Sequence, residues 1–380
     1  MKKIKTDFLI IGAGLYGCVL AERITKILKK KVVILEERSH IGGNCYSEYD
    51  KSTGIEYNKY GPHIFHTSID NVWSYINDFT KFNTYKHQAL ARFKNKIYQL
   101  PINLETINSF FDKNFSPDEA KNFLLKKTFK FKKKNPKNFE EKALSQIGKD
   151  LYEAFIKNYT TKQWGKDPKY LPSSIFNRLP LRFNYNEDYF NSSKYQGIPL
   201  DGYTKLFRNL TTNKNIELIY NTKFQLDSNI EVKKLTIFTG PLDKLFNYKF
   251  GKLEWRSLNF KKETLDTDDF QGTSLINYPE LKYKFTRIYE PRHLHTERVI
   301  NKNKTIIIKE FPTLDNSRPY YPINDSKNRN LHRKYKNFIN SHKNLRIIIG
   351  GRLGDYAYYD MDMTISAALK KFEFIKKNFS

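Results

Sequence analysis

Residues 7–36 begin Asp7-Phe8-Leu9-Ile10-Ile11, turn through Gly12-Ala13-Gly14-Leu15-Tyr16-Gly17, and close on Lys31-Val32-Val33-Ile34-Leu35-Glu36. The first run is apolar without alternation, as expected of a strand buried on both faces of a parallel sheet. Val19 to Leu28 has helical spacing, and the second apolar run reads as the next strand, so the stretch is a β-α-β unit. In its turn Gly12 permits the tight bend, Gly14 lets backbone N–H groups approach a pyrophosphate, and Gly17 lets the helix pack closely. The helix that starts near Leu15 directs its positive end toward the phosphates. Glu36, 22 residues after Gly14, stands where a carboxylate accepts the hydroxyls of a ribose. An Arg or Lys there would have indicated a 2′-phosphate; Glu36 favours NAD or FAD. The continuation Glu37-Arg38-Ser39-His40-Ile41-Gly42-Gly43-Asn44 carries the Arg-x-x-x-Gly-Gly pattern of flavoproteins, which points to FAD.

A second reading of the N-terminus is a secretory leader, because Lys2, Lys3 and Lys5 precede an apolar stretch and Leu15-Tyr16-Gly17-Cys18 looks like a lipoprotein cleavage site. Cleavage would remove the fingerprint glycines, so a cytoplasmic protein is expected. From Asn103 to Phe155 the spacing is helical, with a basic block from Lys126 to Lys137 that reads as a solvated helix face or loop. From Leu179 to about Leu265, short alternating pieces such as Leu181-Arg182-Phe183-Asn184-Tyr185 and Ile216-Glu217-Leu218-Ile219 read as strands. Arg346-Ile347-Ile348-Ile349 before Gly350-Gly351 is another buried strand entering a glycine turn.

Composition bounds the function. The 380 residues carry 67 Lys+Arg against 40 Asp+Glu, a formal charge of +27. The 39% hydrophobic content, with 29 Phe and 26 Tyr, supports sizeable cores and excludes wholesale disorder. No window approaches the ~18 unbroken apolar residues of a spanning helix. Cys18 and Cys45 cannot make a disulfide framework or a four-thiolate zinc site. The charge invites a nucleic-acid reading, but the basic residues are scattered and line no single periodic face. Lysine-rich composition bias is a second reading, and a phosphate-bearing small substrate is a third.

Further motifs give the chain a resemblance. Asn44, Tyr60-Gly61-Pro62-His63-Ile64-Phe65-His66-Thr67 and Asn158-Tyr159-Thr160-Thr161-Lys162-Gln163-Trp164-Gly165 are similar to blocks of the prokaryotic UDP-galactopyranose mutase family. So are Arg178-Leu179-Pro180-Leu181-Arg182-Phe183-Asn184-Tyr185, Asp188-Tyr189-Phe190, Tyr195-Gln196-Gly197-Ile198-Pro199, Phe285-Thr286-Arg287-Ile288, Tyr320-Tyr321-Pro322-Ile323-Asn324-Asp325 and the run from Gly350 to Met361. These blocks span the chain in order.

The resemblance implies an α/β fold: a Rossmann-like FAD-binding domain (1–80, 205–245 and 318–380), a helical insertion domain (81–172) and an antiparallel β-sheet substrate domain (173–204 and 246–317). It implies an isomerase that interconverts the pyranose and furanose forms of a nucleotide sugar without net redox, after N5 of reduced FAD attacks the anomeric carbon and an iminium forms. An external reductant such as NADPH or NADH would keep the flavin reduced. The partners implied are a small nucleotide sugar, a second copy in a homodimer, and glycosyltransferases that place the furanose in a cell-surface polysaccharide such as O-antigen. Nucleic acid is not among them.

By the same resemblance, Arg178 and Arg287 grip the diphosphate through bidentate charge-assisted hydrogen bonds. Tyr189, Tyr321 and Tyr358 hydrogen-bond it, and Asp360 lies near them and the flavin. Phe155 and Tyr159 stack on the uracil, Trp164 lies by the sugar, and Arg256 stands near the site. Phe155 and Tyr159 at i, i+4 equally suit a helix core stripe. His63 and His66 are expected beside the flavin and sugar; no third ligand cluster follows them, so no metal is expected. The cofactor set is Gly12, Gly14, Leu15, Gly17, Glu36, Glu37, Arg38, Gly43, Asn44, His63, Ile64, Arg352, Tyr358, Asp360 and Met361.

One segment departs from the pattern. In Tyr85-Lys86-His87-Gln88-Ala89-Leu90-Ala91-Arg92, His87 and Ala89 replace the Asn and Pro usual in enzymes acting on UDP-galactose. That segment faces the sugar in the family, so UDP-N-acetylgalactosamine and dTDP-fucose stay open beside UDP-galactose. His63 is retained where an arginine marks the relatives with wider N-acetyl tolerance, which favours galactose. An amine oxidase-like flavoenzyme would share the N-terminal fingerprint.

Overall fold

The computed structural model describes residues 4–379 except 179, 299, 301, 302 and 316, and the side chains of 177 and 178 also fall outside the description. Strand β1 (Ile4–Ile11), helix α1 (Leu15–Arg23) and strand β2 (Val32–Leu35) form the expected unit. The five-stranded sheet runs Ile347–Ile349, Ile230–Phe238, β1, β2, Ile216–Ile219, every pair parallel. Phe8, Leu9 and Ile10 are almost wholly buried, because both faces of the sheet are covered. On one side α1 packs against the C-terminal helix Met361–Phe379 through Val19, Ile24, Ile365, Ala368 and Phe372. On the other, Tyr335 and Ile339 of the helix Ser326–Ser341 cover Leu9 and Val33. The chain leaves β1 first to one side and later to the other. That reversal opens a crevice at the carboxyl ends of the strands, where such sheets bind ligands.

The second sheet has seven strands, in the order Tyr321–Pro322, Trp255–Leu265, Thr305–Thr313, Arg287–Tyr289, Leu275–Asn277, Ala89–Phe93, Lys96–Leu100. Its neighbours are antiparallel except Leu275–Asn277 against Ala89–Phe93. The helices Leu104–Phe111, Pro117–Thr128 and Phe139–Leu151 form a separate layer around Leu104, Ile107, Leu124, Phe139, Ile147 and Leu151. All three start at side-chain caps: Asn103 accepts from Thr106 N, Ser116 and Glu119 form a reciprocal capping box, and Asn138 accepts from Glu141 N.

Three expectations are corrected. Leu181–Tyr185 is not a strand. The buried Arg182 guanidinium donates to the carbonyls of Asn186 and Asp188 at 3.0 and 2.7 Å and to Asn191 Oδ1 at 3.1 Å, which folds the segment into a loop. Its alternation has another cause: Leu181 and Phe183 pack on the helical layer. The hairpin of residues 89–100, inside the segment expected to be helical, joins the seven-stranded sheet, and Tyr321–Pro322, expected with the nucleotide unit, pairs with that sheet's Trp255–Arg256 edge.

Candidate active site

The glycine turn after β1 is tight. Gly12 has φ +103°, and a Cβ there would lie 2.3 Å from Thr239 Oγ1, while a Cβ on Gly17 would lie 2.2 Å from the Gly12 carbonyl oxygen. Around Gly14 a Cβ would meet no protein atom within 4 Å, so its outer side opens on the crevice. No side chain caps the helix that follows, which leaves its first N–H groups for a ligand. The buried Glu36 accepts from Ala13 N at 2.8 Å and from Arg38 N at 2.9 Å. Burial pushes its carboxyl up from the ordinary range, against these two bonds. Arg38 donates from Nη2 to Asn44 Oδ1 at 3.0 Å and lies over the Tyr60 ring, while its Nη1 is buried without a partner. The second turn brings Gly43 against Gly14, 3.1 Å from a Cβ it lacks to the Gly14 Cα. An open glycine, an uncapped helix end and an orphaned guanidinium nitrogen fit a dinucleotide. Leu15 heads the helix, and Glu37 is exposed beside the cradle.

Next to the cradle lies a cavity of about 950 Å³. The nucleotide unit contributes Asn44, His63, Ile64, His66, Arg352, Tyr358, Asp360 and Met361; the helical layer contributes Phe155, Tyr159 and Trp164; the sheet and its loops contribute Tyr189, Arg287 and Tyr321. Arg287 sits directly across from Glu310 in the antiparallel register, its Nε 2.9 Å from Glu310 Oε2. Burial opposes its charge, but the Glu310 carboxylate holds it firmly protonated. Tyr321 and Tyr358 stack at 5.2 Å, with the Arg352 guanidinium 5.8 and 5.4 Å from their centroids. Arg352 is fixed by Nε and Nη2 bonds to the Tyr359 carbonyl at 3.0 and 2.5 Å. Burial pushes the Tyr159 phenol up to about 12 and raises that of Tyr321, so both are protonated donors at neutral pH.

The histidines are neutral. His63 Nδ1 donates to the Gly61 carbonyl at 2.8 Å, which leaves Nε2 as an acceptor. Burial, helped by Arg352 and Arg287, holds its pKa down to about 4. His66 lies flat on Phe190 at 3.8 Å, its Nδ1 3.0 Å from Ser193 Oγ. Burial lowers its pKa against the carboxylates of Asp360, Asp362 and Asp188. On the far side of Phe190 stands His87, 6% exposed, hydrogen-bonded to Tyr85 and held to about 3 by burial.

One expected residue lies outside the cavity lining, and another is shared between the cavity and the core. Arg256 lies behind the wall, 3% exposed, and holds the end of the helix Asn158–Trp164 by donating to the carbonyls of Gln163 (2.8 Å) and Lys162 (3.1 Å). Phe155, in the π-helical turn Tyr152–Lys157, packs among Phe93, Tyr98 and Phe110, so its ring is chiefly a core ring while Tyr159 faces the cavity. Arg178 ends the 3-10 turn Ser173–Arg178, and its side chain lies outside the described residues.

Two residues that the sequence did not single out complete the site. Glu310 neutralises Arg287, and only the strand register reveals it. Lys162 Nζ donates to the carbonyls of Tyr278, Glu280, Tyr283 and Phe285 at 2.5, 3.0, 3.1 and 2.9 Å, which ties the helix carrying Tyr159 and Trp164 to the loop before Arg287. Burial lowers its pKa to about 8.

The sequence profile of the UDP-galactopyranose mutase family matches residues 154–358, and an NAD(P)-binding Rossmann-like profile matches residues 10–79. The chain is 40% identical to a protein of Klebsiella pneumoniae described as "Probable UDP-galactopyranose mutase", over 96% of this chain and 93% of that one. It is 38% identical to an Escherichia coli dTDP-fucopyranose mutase, over 97% and 98%. Its fold superposes on the crystal structure of a reduced UDP-galactopyranose mutase with a TM-score of 0.77 at 16% identity, over 98% and 96% of the two chains.

Proposed function

The chain belongs to the UDP-galactopyranose mutase family, and on that premise we propose that it isomerises UDP-galactopyranose to UDP-galactofuranose with FAD as its cofactor. The observation that carries this reading is the convergence of Arg287, Arg352 and the phenols of Tyr159 and Tyr321 on one cavity beside an open glycine cradle. That is a site for two phosphorylated molecules side by side, a dinucleotide and a nucleotide sugar.

Gly12, Gly14, Leu15, Gly17, Glu36, Arg38, Gly43 and Asn44 would hold the nucleotide part of FAD, and His63, Ile64, Arg352, Tyr358, Asp360 and Met361 would surround its ring. Reduced FAD supplies the electron pair that lets the anomeric carbon exchange its diphosphate without net redox. Arg287, with Arg178 as its proposed counterpart, donates hydrogen bonds to the departing diphosphate and keeps it near for return. Removing one such positioned donor costs about 2.7–4 kcal/mol of transition-state stabilisation. Tyr189, Tyr321 and Tyr358 donate to phosphate oxygens, Tyr159 covers the base, and Trp164 closes the sugar end against water. His63 Nε2 accepts a sugar hydroxyl proton in a hydrogen bond.

A second sugar is favoured by one observation. His87 and Ala89 line the cavity where the family usually has Asn and Pro, and a 38% identical relative is a dTDP-fucopyranose mutase. The test is one panel: enzyme reduced with dithionite, incubated with UDP-galactopyranose, UDP-N-acetylgalactosamine and dTDP-fucopyranose, the ring forms then separated. Fastest conversion of UDP-galactopyranose supports the main reading, and fastest conversion of dTDP-fucopyranose replaces it. A cytoplasmic homodimer, kept reduced by NADPH or NADH and serving polysaccharide-building transferases, completes the proposal. Among the described residues no helix is long and apolar enough to cross a membrane.

A further inference from the structure

Between Lys121 and Lys137 the chain carries eight lysines and no acid. All eight are exposed, and only Lys127 and Lys133 form ion pairs among the described residues, with Asp150 and Glu141. The helix Pro117–Thr128 buries Ala120, Leu124 and Thr128 against the helix Phe139–Leu151. The next row around the helix is turned outward: Lys121, Leu125 and, just past the helix end, Phe129, at i, i+4 and i+8. Leu125 is 43% exposed, and Phe129, at 77%, is more exposed than any other large apolar residue described. Lys126, Lys130, Lys132 and Lys134 flank these residues along the chain, all four exposed.

A solvated basic face needs lysines but gains nothing from an outward Phe and Leu. Nucleic-acid backbone contact likewise rests on cations alone. A bilayer surface takes both, the apolar side chains entering the headgroup boundary and the lysines meeting anionic lipid. None of residues 121–137 lines the cavity, so a surface bound there leaves the site open. We propose that this lysine-flanked apolar tip docks the protein on the anionic phospholipid surface of a membrane. Leu125 and Phe129 insert, and the lysines pair with lipid phosphates.

The test is sedimentation of the full-length holoprotein with vesicles of pure phosphatidylcholine and with vesicles containing about one-third phosphatidylglycerol, at about 0.1 M salt. Binding to the second kind alone is expected. The quadruple variant Lys126→Gln, Lys130→Gln, Lys132→Gln, Lys134→Gln should bind at least about a hundredfold more weakly, since each lysine contributes about fivefold. Phe129→Ser should lose about tenfold. Both variants should keep mutase turnover and thermal midpoint, and Phe129→Ser alone decides the matter if the quadruple variant does not fold. The proposal is overturned by no binding to anionic vesicles, by equal binding to both kinds, or by variants that bind like the parent. Duplex DNA bound as tightly as the vesicles, and unaffected by Phe129→Ser, would assign the tip to nucleic acid and overturn it as well.

Discussion

The nucleotide cradle and the cavity beside it are built in opposite ways. The cradle comes from residues 12–17 and 36–44, and its decisive contacts stay within those two stretches: Gly17 against the Gly12 carbonyl, Gly43 against Gly14, Glu36 on Ala13 N. The cavity draws on segments from Asn44 to Met361, and its central ion pair, Arg287 with Glu310, depends on the register of two strands. A site built from two stretches is set by backbone geometry and fails when a Cβ intrudes. A site assembled from afar is set by packing and charge, and fails one function at a time.

The largest effect should come from the cradle. Gly17→Val places its side chain on a carbonyl that cannot move, and should yield little soluble protein. The Cβ of Gly14→Ala meets no protein atom within 4 Å, so the thermal midpoint of the apoprotein should stay within about 2 °C while bound FAD falls at least about tenfold. Equal loss of folding in both variants would show that Gly14 has a structural task and break the contrast.

In the cavity, Arg287→Ala should lower kcat by about 10²–10³-fold with FAD retained. Arg256→Ala should behave differently. It removes the donors to the carbonyls of Lys162 and Gln163 from behind the wall, so stability should fall by about 1–3 kcal/mol in urea unfolding, with a smaller, roughly tenfold, loss of turnover. Lys162→Met should resemble Arg256→Ala, because four buried carbonyls lose their shared donor. An Arg256→Ala enzyme as inactive as Arg287→Ala and fully stable would place Arg256 on the substrate.

Much of this contrast follows the range of the sequence signal. The β-α-β unit and its glycines were legible because the whole unit lies within residues 7–44. The arginine and tyrosine positions were legible only through motif resemblance, since 26 tyrosines offer no internal reason to choose Tyr321 or Tyr358. Glu310 and Lys162 were not legible, because strand register and a loop's carbonyls confer their roles. Leu181–Tyr185 misled because packing on a helical layer produced the alternation of a strand. Arg256 was expected near the site, and a motif position states such proximity but not the direction in which a side chain points.

The smallest effect is on pH. His63 and His87 have folded pKa values of about 4 and about 3, below the ordinary 6.5, because burial disfavours the charged ring. Their contribution to stability is therefore complete above pH about 6.5 and is lost as pH falls through the interval toward those values. The thermal midpoint should drop progressively between pH 6.5 and 4.5, and His87→Asn should flatten that drop. An unchanged slope would mean that other groups carry the acid sensitivity.

The central claim is isomerisation in one shared site, and counting products against reducing equivalents tests it most directly. Holoenzyme reduced once, then given excess UDP-galactopyranose without oxygen, should form many furanose molecules per flavin while the flavin stays reduced. Furanose limited to one per reducing equivalent, or sugar oxidised in step with added oxidant, would contradict the account.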